Sequence, residues 1–156
     1  MITMNKRKVF LSVIIVILFL STGFILYQNF HHKEILQNNI KYVKIAGVNV
    51  QVDLALTAEE QRQGLSGRSG LDGDKGMLFV FDSPDKYFFW MKDMKFPIDM
   101  IWISEDFRVV YIKKDARPEL FPENYGPKEN AKYVLEVVSG FSDKNSLKIG
   151  DKLQPF

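Results

Sequence analysis

The sequence predicts a mainly β fold: a small β-sandwich or barrel-like domain with one or two short helices, preceded by an N-terminal transmembrane helix. Three observations carry that reading. From Val9 to Phe30 no side chain is charged and most are Val, Ile, Leu or Phe, with Lys6, Arg7 and Lys8 directly in front. Beyond Asn39 the apolar residues fall instead in short runs about ten residues apart with turn signals between them, as in small sandwiches and barrels. Thr57-Ala58-Glu59-Glu60 is a capping box and starts a short helix.

The N-terminal run comes first. A helix rises about 1.5 Å per residue, so Val9–Tyr27 is long enough for a hydrocarbon core of roughly 30 Å. The basic cluster keeps residues 1–8 cytoplasmic and carries everything after Tyr27 to the other side of the cell membrane. Ser21 and Gly23 also resemble a signal-peptide cleavage site, but Phe24-Ile25-Leu26-Tyr27 prolong the apolar run beyond it, which favours an uncleaved single-pass anchor. A chain without cysteine offers no site for a lipoprotein anchor. Residues 28–39 (QNFHHKEILQNN) read as a polar juxtamembrane linker, since adjacent residues such as His31 and His32 rarely converge on one metal ion. Residues 40–156 form the folded domain, of ordinary size and large enough for a real core.

Within the domain, Tyr42–Ile45 and Val48–Val52 alternate around the Ala46-Gly47 turn and predict a β-hairpin. The helix opened by Thr57 stops near Gly64, with Leu65 turned inward. Residues 67–76 are a glycine-spaced loop that matches no phosphate or dinucleotide pattern, and its Asp72 and Asp74 lack the ligand series calcium needs. Met77–Phe81, Tyr87–Met91 and Ile98–Ile103 are apolar on both faces and read as sandwiched strands. Val109–Ile112 follows the turn at Asp106. Lys113–Lys132, with three prolines and many charges, reads as a long loop of the kind that serves function or stays disordered. Tyr133–Val138 is again strand, Ser139–Ser146 a turn or short helix, and Ile149–Leu153 closes the domain.

Composition excludes more than it selects. There is no cysteine, and the only histidines, His31 and His32, precede the domain. Thiol chemistry, disulfides, Ser-His-Asp and Cys-His arrangements and nearly every zinc constellation are therefore excluded there. Catalysis would rest on carboxylates, Lys, Tyr or a hard metal ion. The formal charge of +2 comes largely from Lys6, Arg7 and Lys8, and Lys113-Lys114 beside Asp115 is no phosphate-tracking stripe. No nucleic-acid partner, metal or cofactor is expected.

Two acids stand out on core strands. Asp99 lies among Ile98, Met100, Ile101, Trp102 and Ile103, and Glu136 between Leu135 and Val137. A bare ionised carboxylate in such company costs several kcal/mol, so each must be paired or must line a wet pocket. Arg68 and Lys92 are the cations that could pair with them. Phe88, Phe89, Trp90 and Trp102 offer stacking faces. Strand alternation would put Tyr87, Phe89 and Met91 on one face and Phe88 and Trp90 on the other, so the two sets could not share one pocket. Met77, Met91, Met94 and Met100 read as soft packing.

The ordered blocks Leu54-Ala55-Leu56-Thr57, Gly64-Leu65, Arg68, Gly76–Phe81, Phe89-Trp90-Met91-Lys92, Pro97–Ile101, Tyr133–Val137 and Gly150-Asp151 resemble the DUF192 (UPF0127) family over about Val43–Leu153. The resemblance implies a mainly β domain, often behind a signal or anchor, of no assigned biochemical role. It places the family's polar residues on Arg68, Lys92, Asp99 and Glu136. It also marks departures, with Gln61 where Arg is common, Ser66 where Met is common, and Asp93-Met94 where Asn-Thr is common.

The expectation is thus a membrane-anchored, extracytoplasmic domain, more binding module than enzyme, held to the membrane by its N-terminal helix. Its ligand would be a small polar molecule, an envelope glycan or a peptide, bound by Arg68, Trp90, Lys92, Asp99 and Glu136. One rival is a carboxylate-dependent hydrolase of envelope polysaccharide with Asp99 and Glu136 as its acid–base pair. Another is an accessory subunit of a membrane protein complex.

Overall fold

The structure, a computed structural model, describes residues 6–39 and 42–155, with side chains described at 10, 13–28 and 42–154. It divides into two units, 1–38 and 39–156. The first is one helix, α1 (Lys6–Asn39, 34 residues), unbroken through the segment expected to be a linker. That segment is therefore helical backbone; its side chains from 29 to 39, His31 and His32 included, lie outside the described residues. Every large apolar side chain described on α1 is exposed. Among the described residues no helix is long and apolar enough to cross a membrane. On α1 the longest unbroken run of described side chains, 13–28, rises about 24 Å. The expected anchor residues Val9, Leu11 and Ser12 fall outside those side chains, as do the flanking Lys6, Arg7 and Lys8 and residues 1–5.

The second unit is mainly β. Its strands are β1 (Tyr42–Ile45), β2 (Val48–Ala55), β3 (Lys75–Asp85), β4 (Ile98–Ile103), β5 (Val109–Ala116), β6 (Ala131–Val138) and β7 (Gln154–Pro155), with short helices α2 (Ala58–Gln63) and α3 (Phe141–Lys144). They form one sheet in the order β5-β4-β6-β3-β2-β1-β7. Of the two expected alternatives, the sandwich of two sheets is corrected: the strands form a single sheet. Its ends meet at the C-terminal segment: β7 pairs with β1, while Lys152 bridges to Arg108 just ahead of β5. At the β5 end the contact continues to Val109, whose N–H donates to the Asp151 carbonyl and whose carbonyl accepts from the Gly150 N–H.

Local chemistry explains the elements that formed as expected. Ala46 and Gly47 both have positive φ, the backbone twist that a two-residue hairpin needs, and β1 pairs β2 in the corresponding register. The Thr57 hydroxyl accepts from the Glu60 N–H and the Glu60 carboxylate accepts from the Thr57 N–H, closing the capping box. The helix ends at Gly64, whose φ of 49° suits glycine, and Leu65 turns into the core.

Two expected elements differ. Tyr87–Met91 is not a strand: only Phe89 pairs, exchanging both backbone hydrogen bonds with Tyr125 at 2.8 Å. The long loop is shorter than expected, because β5 runs on to Ala116 and β6 starts at Ala131. Both faces of the sheet are buried. Met77, Phe79, Met100, Trp102 and Val134 pack on one face, beneath Leu65, Met91 and Tyr125. Leu78, Ile101, Leu135 and Val137 occupy the other.

Candidate functional site

The first of these faces carries a cleft of about 340 Å³. Its floor is Phe79 on β3 and Glu136 on β6. One wall is α2 with its C-terminal turn, contributing Gln61, Arg62, Gly64 and Ser66; the other is the irregular segment that contributes Tyr87, Phe88, Phe89, Trp90 and Met94. The walls are tied together, since the Ser66 hydroxyl donates to the Lys92 carbonyl and the Gly67 N–H to the Asp93 carbonyl, both at 2.9 Å.

The aromatic rings interlock. Phe81 and Tyr87 stack at 3.5 Å between centroids, Phe89 stands edge-on to Phe79 at 4.8 Å, and Trp90 is edge-on to Phe121 at 6.3 Å. Trp90 is 54% exposed and Phe88 more so, so the rim is open. Because 87–90 makes no ladder, strand alternation does not govern it. The two aromatic sets that should have faced apart line one cleft. Trp102 does not join them: it is fully buried, and its indole N–H donates to the Tyr87 carbonyl at 2.8 Å, pinning the wall from beneath.

Glu136 is the unusual group. It is 5% exposed, no hydrogen bond reaches it among the described residues, and its Oε2 is buried without a partner. Burial pushes its carboxyl up to about 8, with the Arg68 charge pulling only partly back. At neutral pH it is thus a carboxylic acid and carries a hydroxyl donor. Gly64 faces it: a Cβ there would sit 3.3 Å from Phe79 Cζ and 4.0 Å from Glu136 Oε2, so any side chain would crowd the floor.

The other expected site residues lie elsewhere. Asp99 is 1% exposed but fully engaged. Its Oδ1 accepts from the N–H groups of Asp115 (2.9 Å) and Gly140 (3.3 Å), and its Oδ2 from the Ser142 N–H (2.8 Å). Asp99 opposes Val137 while Met100 opposes Glu136, so the two acids point to opposite faces of the sheet. They cannot flank one glycosidic bond, and the acid–base pair is corrected accordingly. Arg68 pairs with Asp53 at 2.8 Å and acts on Glu136 only through its field. Lys92 is exposed and lines no part of the cleft. Of the five residues singled out, the cleft gathers Trp90 and Glu136.

Sequence reasoning missed the α2 wall. A signal was present: Gln61, Ser66 and Met94, departures from the pattern of the resemblance, all line the cleft. Gln61 also holds the wall in place, its side-chain amide donating to the Ala55 and Val80 carbonyls. No group of His, Asp and Glu suited to a metal ion occurs among the described residues.

Comparison with known proteins agrees with the extent of the domain. The family model DUF192, described as an uncharacterized ACR, matches residues 41–155. A protein of unknown function from Novosphingobium aromaticivorans is 31% identical with a TM-score of 0.70, over 74% of this chain and 84% of that one. A putative transcription regulator from Sinorhizobium meliloti is 28% identical with a TM-score of 0.69, over 73% and 92%. No curated protein matches the chain.

Proposed function

The chain belongs to the DUF192 family, and on that premise we propose that it is a membrane-tethered, extracytoplasmic binding domain. Its site is the aromatic cleft, not a pair of catalytic acids. One observation carries the reading: a buried carboxyl with no hydrogen-bond partner among the described residues lies at the floor of an open, ring-lined cleft. Burying such a group costs stability, and sites of this make-up are where ligands are recognised. The occupant is a small molecule, an envelope glycan fragment or a peptide that lays a ring or apolar face against Trp90, Phe88 and Tyr87.

The tether is supported by the uncharged run Val9–Phe30 behind Lys6, Arg7 and Lys8. Alkaline phosphatase fused after Phe156 tests it: activity is expected, and an inactive fusion with a normally folded domain contradicts it. Thermal-shift screening of the full-length chain against envelope fragments tests the binding. A stabilising fragment is expected, with the effect lost in Trp90→Ala. If no fragment stabilises the chain and one membrane protein co-purifies with it stoichiometrically, the accessory-subunit reading replaces this one.

A further inference from the structure

Resting on that reading of the cleft, we infer that its ligand is an uncharged ring compound whose hydrogen-bond acceptor meets the Glu136 carboxyl. Three observations converge on this class. The walls supply ring surfaces, chiefly the Phe81–Tyr87 stack and the half-exposed Trp90, and aromatic and other apolar rings pack there. The floor supplies one polar group, only 5% exposed, whose buried Oε2 has no hydrogen-bond partner among the described residues. Its environment keeps that group protonated, so it offers a donor, and an acceptor on the ligand completes it.

The surrounding charges set the sign. Arg62 lines the cleft from α2, and the Arg68 field reaches Glu136 from the following loop; Tyr87 is the titratable group on the opposite wall. On the strands flanking Glu136, Met77 and Met100 stand opposite it and bring no charge. A cationic ligand would meet the Arg62 charge on the α2 wall and would find no ionised partner in the protonated Glu136 carboxyl. An anionic ligand would lose its water among rings, while Arg68 is already paired with Asp53. A neutral acceptor meets neither obstacle.

Three single-ring fragments of similar size test the assignment: benzamide, benzylammonium and benzoate. The full-length chain in lipid nanodiscs, labelled with [15N]tryptophan, gives one indole signal in the cleft (Trp90) and one buried control (Trp102). Benzamide is expected to shift the Trp90 signal alone and to bind about tenfold more tightly than either charged fragment at pH 6.5. Its affinity should fall about tenfold per pH unit above 8, as the donor is lost. Glu136→Gln should retain benzamide and abolish that pH dependence. Tighter binding of benzylammonium or benzoate overturns the neutral-ligand inference while leaving the cleft a binding site. A pH profile that persists in Glu136→Gln overturns the role of this carboxyl. If no fragment shifts Trp90, the binding reading and this inference fall together. The charge series and pH profile of the wild-type chain decide the matter even if the variant does not fold.

Discussion

Asp99 and Glu136 stand on adjacent strands, separated by a single step of register, and both are buried. Their surroundings differ completely. Asp99 gathers three backbone N–H groups from the end of β5 and the start of α3, and so ties two chain reversals to the sheet. Glu136 gathers none and opens onto a cleft. The contrast teaches that burial alone does not mark a functional acid. The hydrogen-bond inventory does: a satisfied buried carboxylate holds the fold, whereas an unsatisfied one at a cleft floor awaits something from outside.

The comparison can be broken by four measurements, and the largest effect belongs to Glu136. Its carboxyl is raised from an ordinary 4.5 to about 8, so the folded domain holds a proton that the unfolded chain releases. The contribution to stability is therefore full below pH 4.5 and declines as pH rises toward 8, at about 1.4 kcal/mol per pH unit. Urea unfolding at pH 5, 7 and 9 should show this loss, and Glu136→Gln should flatten it.

Next is Asp99→Ala, which strands three N–H donors, one buried and two partly buried, and should cost about 3–5 kcal/mol, read from the same urea curves. Gly76→Ala sharpens the contrast from the backbone side. A Cβ there would lie 2.7 Å from the Glu136 carbonyl oxygen, and main chain cannot swing aside, so a loss of about 1–3 kcal/mol is expected. The smallest effect is that of Arg68→Ala. Its pair with Asp53 is largely exposed, so stability should change by less than about 0.5 kcal/mol. The midpoint of Glu136 should nonetheless move further up, because the Arg68 charge that lowers it is gone.

Much of the fold was legible because it is local. The Ala46-Gly47 hairpin, the Thr57–Glu60 capping box and the stop at Gly64 each depend on a few neighbouring residues, and β4 and the Tyr133–Val138 part of β6 on apolar runs interrupted only by Asp99 and Glu136. The single sheet was not legible: β2 and β3 pair in parallel across an intervening helix and loop, a long-range choice that periodicity does not encode. Tyr87–Met91 misled for a related reason. Its aromatic residues satisfy strand preference, yet with only Phe89 paired the segment lies across the core as a wall. The site was half legible. Oddly placed charges pointed to Asp99 and Glu136 alike, and only the partners of their oxygens separated them.

The central claim is that Glu136 is a neutral, unpartnered acid at the floor of the cleft. A 13C NMR titration of the glutamate carboxyl carbons, with Glu136 assigned through Glu136→Gln, tests it most directly. A midpoint near 8 is expected. A midpoint near 4.5 would mean that water or a cation already satisfies the group, and the account of the site would be wrong.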